Sequence, residues 1–267
     1  MRRLIRAEFA KLSRNWLLLG ILAVIAVFCV IVVGKGAAGF LEGQSYPIQY
    51  LNRLFETRFQ SISGFESWHA KYVVRAIIGD GMIPLWCGAV LAAFFVGREF
   101  EGRTVNAALM RGHTRSRVFC AKLLSYYAAG IAVSLLSLFA TLFLFTPDWI
   151  LRIDGARLLW YFTLRIMCDI GTLSLPFFFA YLCRDLIKTV SFSAAYALIF
   201  TFLSKGGMGE NAVTRVLRKH PINEMQAFMK EGVVAFENVE MLVFVSVGLF
   251  VVTTAVAYMM FRRAELK

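Results

Sequence analysis

No stretch of the sequence reads Gly-x-x-x-x-Gly-Lys-Ser/Thr, so the chain lacks the usual phosphate loop for binding ATP. His-Glu-x-x-His and Gly-x-Ser-x-Gly are missing as well, which removes the signatures of a metalloprotease and of an α/β hydrolase. Histidine is scarce: His69, His113 and His220 fall in three different polar segments and suggest no metal site. The five cysteines, Cys29, Cys87, Cys120, Cys168 and Cys183, lie in or beside apolar runs without paired spacing. They read as small hydrophobes, neither a disulfide frame nor metal ligands. Acidic residues are few, 17 against 29 Lys and Arg, for a net charge of +12. In so apolar a chain that excess points to membrane orientation and anionic lipid headgroups, not to nucleic acid. The ten-residue alternating segments of a β-barrel are also lacking.

Apolar residues in long runs dominate instead. Hydrophobic residues make up 59% of the chain and aromatics 15%, with a mean hydropathy of +0.66, against about 45–50% apolar in a soluble domain. Runs of this length predict helices, because a helix satisfies its own backbone polar groups in hydrocarbon. The expected fold is an all-α integral membrane protein in one domain, with six transmembrane helices at 16–34, 76–97, 118–145, 158–183, 187–204 and 239–261. The first run, Trp16 to Gly34, carries no charge and would span about 28 Å; a signal-peptide core would be shorter. Ahead of it, residues 1–15 form a basic amphipathic segment with Ile5, Phe9, Leu12 and Trp16 at helical spacing, expected to lie along the inner membrane surface.

With the amino terminus inside, the inner segments hold sixteen Lys or Arg in roughly fifty residues and the outer ones twelve in roughly eighty-five. The positive-inside rule then places both termini in the cytoplasm. Short helices against the outer face are expected in the long loops, from Tyr46, Tyr50, Leu54 and Phe59 in one and Val213, Val216 and Leu217 in the other. Pro221 would break the second, making 205–238 a broken outer hairpin.

The most informative segment is the cytoplasmic link 98–117, which starts Arg98-Glu99-Phe100-Glu101-Gly102-Arg103-Thr104-Val105-Asn106. Val105, Ala108 and Leu109 share one side of a short helix beginning near Thr104, with Gly102 and Gly112 at its ends. A short amphipathic helix flanked by charge suits a groove on a soluble partner. The plainer reading is a basic inner loop that meets lipid headgroups.

Here the chain resembles the type-two ATP-binding-cassette (ABC) permeases, the transmembrane subunits of many bacterial exporters. Their pattern is an acidic residue, Gly and Thr, a short helix, a small-residue turn, Ser-Arg, and a Lys on the next helix. This sequence offers Glu101, Gly102 and Thr104, then Gly112-His113-Thr114-Arg115-Ser116-Arg117, and Lys122. It departs by inserting Arg103 and by presenting two arginines, Arg115 and Arg117, for one position. The basic start, six spans, long first outer loop and broken last one resemble the family more loosely. The resemblance implies a non-catalytic permease of the cell membrane that pairs with a second copy or a related permease. It also implies a separate cytoplasmic ABC ATPase, which binds the ATP and Mg, docks on the 98–117 segment and drives an amphiphilic peptide, antibiotic or lipid outward. Coupling would fall to Glu99, Glu101, Gly102, Thr104, Val105, Leu109, Arg115, Arg117 and Lys122.

Within the fourth run, Arg165 and Asp169 lie four apart on one helical face and can pair inside the bundle. They read either as a packing device or as a polar spot on a transport path. The second reading allows a rival, a stand-alone secondary carrier coupled to an ion through this pair, although no internal repeat accompanies it. A membrane-embedded enzyme would need clustered nucleophile, base or metal ligands on facing spans, and none is visible in the sequence. Pro84 and Pro176 sit within spans as candidate kinks, and Gly130, Ala132, Ser134, Ala194, Ala195 and Ala197 allow close helix contact.

Overall fold

The computed structural model describes residues 2–16, 19, 20, 22–24, 27, 82–102, 104–145, 155–204 and 239–263. Most of the first expected span, the start of the second, both long outer loops (the 205–238 hairpin among them) and Arg103 lie outside the described residues.

All described secondary structure is helical. In chain order it comprises α1 (Arg2–Arg14), α2 (Met82–Ala92), a π-helix (Ala93–Gly97), α3 (Arg98–Glu101), α4 (Thr104–Met110), α5 (Arg115–Phe145), α6 (Gly155–Cys183), α7 (Leu186–Ser204) and α8 (Val239–Arg263). Three of these contain stretches long and apolar enough to cross a membrane: Arg115–Phe139, Phe162–Cys183 and Leu242–Arg263. The apolar part of α7, Leu186–Ile199, is shorter.

The bundle centres on α6, which packs most extensively against α8 and also against α2, α5 and α7. Small residues allow the close approaches. A Cβ on Gly130 of α5 would stand 2.8 Å from Leu173 Cδ1 of α6, so a larger residue there would force that leucine to shift. Tyr126 on the same helix donates to the carbonyl of Leu173 at 2.9 Å or of Gly88 at 3.1 Å, tying α5 to α6 and α2. Gly130 and Ser134 thus serve contacts inside the chain, whereas Ala132 is exposed.

Towards one end the core turns aromatic. Phe119 of α5 lies 5.2 Å from Tyr181 of α6 and 5.2 Å from Tyr258 of α8, ring centre to ring centre, with Phe177 and Phe261 beside them. Burying several large rings together gives this end much of the apolar burial that helix packing needs. The terminus of α8 is also clasped there: Arg115 donates to the carbonyl of Arg262 at 2.6 Å, and Arg184 to that of Met260 at 3.3 Å. Cations at the last carbonyls of a helix satisfy orphan acceptors and oppose the negative end of its dipole. Arg184 has a positive φ of 53°, the left-handed conformation that ends α6 and lets α7 start two residues later, at Leu186, behind an Asp185 cap.

α1 packs against α5. Leu4, Glu8 and Leu12, spaced by four, make its inward face, while Phe9 and Trp16 of the expected apolar stripe stay exposed. A helix with one stripe on the bundle and a second apolar edge left open fits a position at a membrane boundary.

Candidate functional site

The link between α2 and α5 starts with an irregularity. From Ala93 to Gly97 the helix widens to π geometry, with the Arg98 amide donating to the carbonyl of Ala93, five residues back. A π-turn inserts one residue into the hydrogen-bond ladder and leaves a carbonyl without its usual helical donor. Lys122 of α5 reaches into this turn: its Nζ lies 3.4 Å from the Phe95 carbonyl oxygen and 5.2 Å from the centre of the Phe95 ring. Gly97 closes the π-turn where it meets the α6–α7 connection. A Cβ there would stand 3.0 Å from the Asp185 carbonyl oxygen and 3.2 Å from Thr189 Oγ1.

The Lys122 side chain is 1% exposed. An ammonium so far from water needs anionic partners. It has two, forming ion pairs with Glu99 of α3 and, at 3.4 Å, with Glu8 of α1. Lys11 of α1 completes the group at 2.8 Å from Glu99 and 3.1 Å from Glu8. Two carboxylates and two ammoniums therefore alternate in a closed, neutral set that ties α1, α3 and α5 together. Burial alone would push the Glu99 carboxyl up, but Lys122 and Lys11 outweigh it and hold the carboxyl below its ordinary value. Burial would push Lys11 down, and the hydrogen bond and charge of Glu99, with Glu8, reverse that and raise it.

The rest of the expected coupling set divides into anchored and outward-facing residues. Phe100 stands edge-on to Tyr181 at 5.6 Å and to Phe261 at 6.0 Å, so α3 is held by an aromatic contact as well as by charge. Val105, 1% exposed, and Leu109 root α4 in the core. Gly102 closes α3, its amide donating to the Arg98 carbonyl at 2.9 Å, and the Thr104 hydroxyl donates to the Glu99 carbonyl at 3.3 Å. Gly112, at φ 84°, ends the α4 turn in a conformation that favours glycine. Thr114 then caps α5 by accepting from the Arg117 amide at 3.4 Å.

The two arginines that compete for one position in the motif point different ways. Arg115 is turned inward onto the end of α8, whereas Arg117 is exposed. Glu101 is exposed as well, and Met110 at the end of α4 is 82% exposed. Of the expected residues, the structure thus brings Glu99 and Lys122 into contact and sets Val105 and Leu109 beneath α4. Glu8, Lys11 and the π-turn join the site without having been singled out in the sequence.

Deeper in the bundle, Arg165 Nε lies 2.7 Å from Asp169 Oδ1, and Ser134 of α5 donates to Asp169 Oδ2 at 2.6 Å. Arg165 Nη2 reaches the same serine at 3.2 Å. The side chains of Arg165 and Asp169 are 1% and 0% exposed. The pair expected from spacing within one helix is therefore a triad between two helices, about as dry as any group among the described residues.

Among the described residues, no three of His, Cys, Asp and Glu converge as a metal ion would require. No protein-family model matches the chain, and neither does any curated protein sequence.

Proposed function

We propose that this chain is the membrane-spanning subunit of an ATP-driven exporter and that α3 and α4 form its contact with a separate cytoplasmic ATPase. The observation that carries the reading is the build of this segment. It leaves the apolar α2 through a π-turn, is fixed to α1 and α5 by the Glu8–Lys11–Glu99–Lys122 set, and ends in the exposed Met110. A lever needs a rigid root and a free tip, and this segment has both. In the exporter, the chain crosses the membrane six times with both termini in the cytosol. It pairs with a second copy or a related permease and with two ATPase subunits. Closure of the ATPases on ATP pushes α4, and the buried charge set passes the displacement to α1 and α5, so that an amphiphilic cargo leaves outward. The motif resemblance at Glu101, Gly102, Thr104 and Lys122 supports the same assignment.

Affinity purification of the chain from its native membranes tests the proposal. The unaltered protein is expected to bring down a P-loop ATPase, and Met110→Asp combined with Arg117→Glu to lose it at least about tenfold while the permease stays folded, since both sites are exposed. Recovery of no ATPase with the unaltered chain contradicts the reading.

A further inference from the structure

Beside the charge set, a groove of about 660 Å³ opens between α1, the π-turn, α3 and the start of α7. Its apolar lining includes Leu12, Phe94, Phe95 and Leu186. Arg98 and Glu101, three apart on α3, line it too. Glu99 and Lys11, also in the lining, are taken up by their own ion pairs. Both Arg98 and Glu101 are exposed, and neither side chain has an ion-pair or hydrogen-bond partner among the described residues. The groove therefore offers apolar walls and, within one helical turn, one unspent cation and one unspent anion. It lies where the amphipathic α1 meets the end of an apolar helix.

An occupant that matches all of this has a hydrocarbon part and a head carrying both an anion and a cation a few ångströms apart. Residues at i and i+3 on a helix stand about 5–6 Å apart at Cβ, close to the span from phosphate to ammonium in a zwitterionic lipid head. We infer that the groove is a binding site for phosphatidylethanolamine, with the phosphate on Arg98, the primary ammonium on Glu101 and an acyl chain along Phe94 and Leu186. Arginine suits a phosphate because its planar fork gives two parallel charge-assisted hydrogen bonds. Glu101 selects the amine, because a primary ammonium donates hydrogen bonds that a trimethylammonium cannot. An anionic lipid without an amine leaves Glu101 facing a phosphate, which repels it. The inference rests on the chain standing in a bilayer; it gives Arg98 and Glu101 of α3 to the lipid head and leaves the exposed Met110 end of α4 to the ATPase.

Native mass spectrometry of the detergent-purified chain tests it, with phosphatidylethanolamine, phosphatidylcholine and phosphatidylglycerol of the same acyl chains titrated in turn. Phosphatidylethanolamine is expected to be retained about tenfold better than either of the others, the scale of one added charge-assisted hydrogen bond. Glu101→Gln should abolish the preference over phosphatidylcholine, and Arg98→Gln should weaken retention of both zwitterionic lipids. The exchanged variant Arg98→Glu with Glu101→Arg keeps both charges in the groove and should restore part of the preference. Equal retention of the three lipids overturns the assignment. So does stronger retention of phosphatidylglycerol, the result expected of a merely basic surface, or phosphatidylethanolamine retention unchanged in both single variants.

Discussion

Replacing Lys122 with methionine is expected to destabilise the chain by about 3–5 kcal/mol, the usual cost of removing one partner from a buried ion pair. Methionine fills much of the same volume, so the loss is electrostatic and does not come from a cavity. Glu8 and Glu99 would face each other across a dry gap with only Lys11, itself half in solvent, between them. The Phe95 carbonyl in the π-turn would lose its hydrogen bond from Lys122 at the same time. Chemical unfolding in detergent, followed by circular dichroism, measures the effect. A second variant isolates its cause: Lys122→Met together with Glu99→Gln leaves Lys11 paired with Glu8, and should recover a substantial part of the loss, because the two sites are in direct contact and do not add. If Lys122→Met unfolds with the unaltered protein, the charge set does not hold α1 and α3 to the bundle. The mechanical link from α4 to α5 is then lost from the account.

The second large effect is expected at the deep triad. Asp169→Ala takes the carboxylate away from an Arg165 guanidinium that is 1% exposed, a change expected to cost about 3–5 kcal/mol. Replacing both, Arg165→Leu with Asp169→Leu, is expected to come close to the unaltered stability, since well-packed apolar residues often match a buried pair. The double variant also separates the two roles that such a pair can have. If it serves packing alone, the doubly apolar protein folds and keeps the export activity proposed above. If Arg165 and Asp169 lie on the cargo path or couple an ion, the protein folds and transport is lost. Ser134→Ala removes one neutral donor from the carboxylate and should cost about 1 kcal/mol. Stability of Asp169→Ala equal to the parent would mean that water reaches the triad.

Much of the architecture was legible because it is written in composition over long windows. The runs at 118–145, 158–183 and 239–261 coincide with α5, α6 and α8, since a helix in hydrocarbon needs only apolar length to declare itself. Arg165 and Asp169 were legible for a different reason: a separation of four puts two residues on one helical face whatever surrounds them. Their partner Ser134 was not, because nothing local to residue 134 encodes a neighbour on α6.

The same limit applies to the link 98–117. Lys122 was matched to the motif and Glu99 only counted in the wider expected set, yet the contact among residues 8, 99 and 122 joins three stretches with no shared local pattern. Glu8 was hidden further by periodicity. Ile5, Phe9, Leu12 and Trp16 mark a plausible apolar stripe on α1, and the true inward face is Leu4, Glu8 and Leu12, with an acid at its centre. A charge on a buried face is visible only once its counter-charges are placed. The π-turn at Ala93–Gly97 carries no sequence signature either, since its residues are as apolar as those of the helix before it. Between Arg115 and Arg117 the motif alone did not choose, and the structure separates them by sending one to the end of α8 and the other to solvent.

The central claim is that the tip of α4 lies in the cytosol against an ATPase. Met110 is the place to test it, as the most exposed large hydrophobic on that helix. With Cys29, Cys87, Cys120, Cys168 and Cys183 first replaced by serine or alanine, Met110→Cys is treated with a membrane-impermeant thiol reagent. No reaction is expected in intact cells, rapid reaction in inside-out vesicles stripped of peripheral proteins, and protection when the ATPase is restored. Labelling of Cys at position 110 from outside intact cells would contradict it.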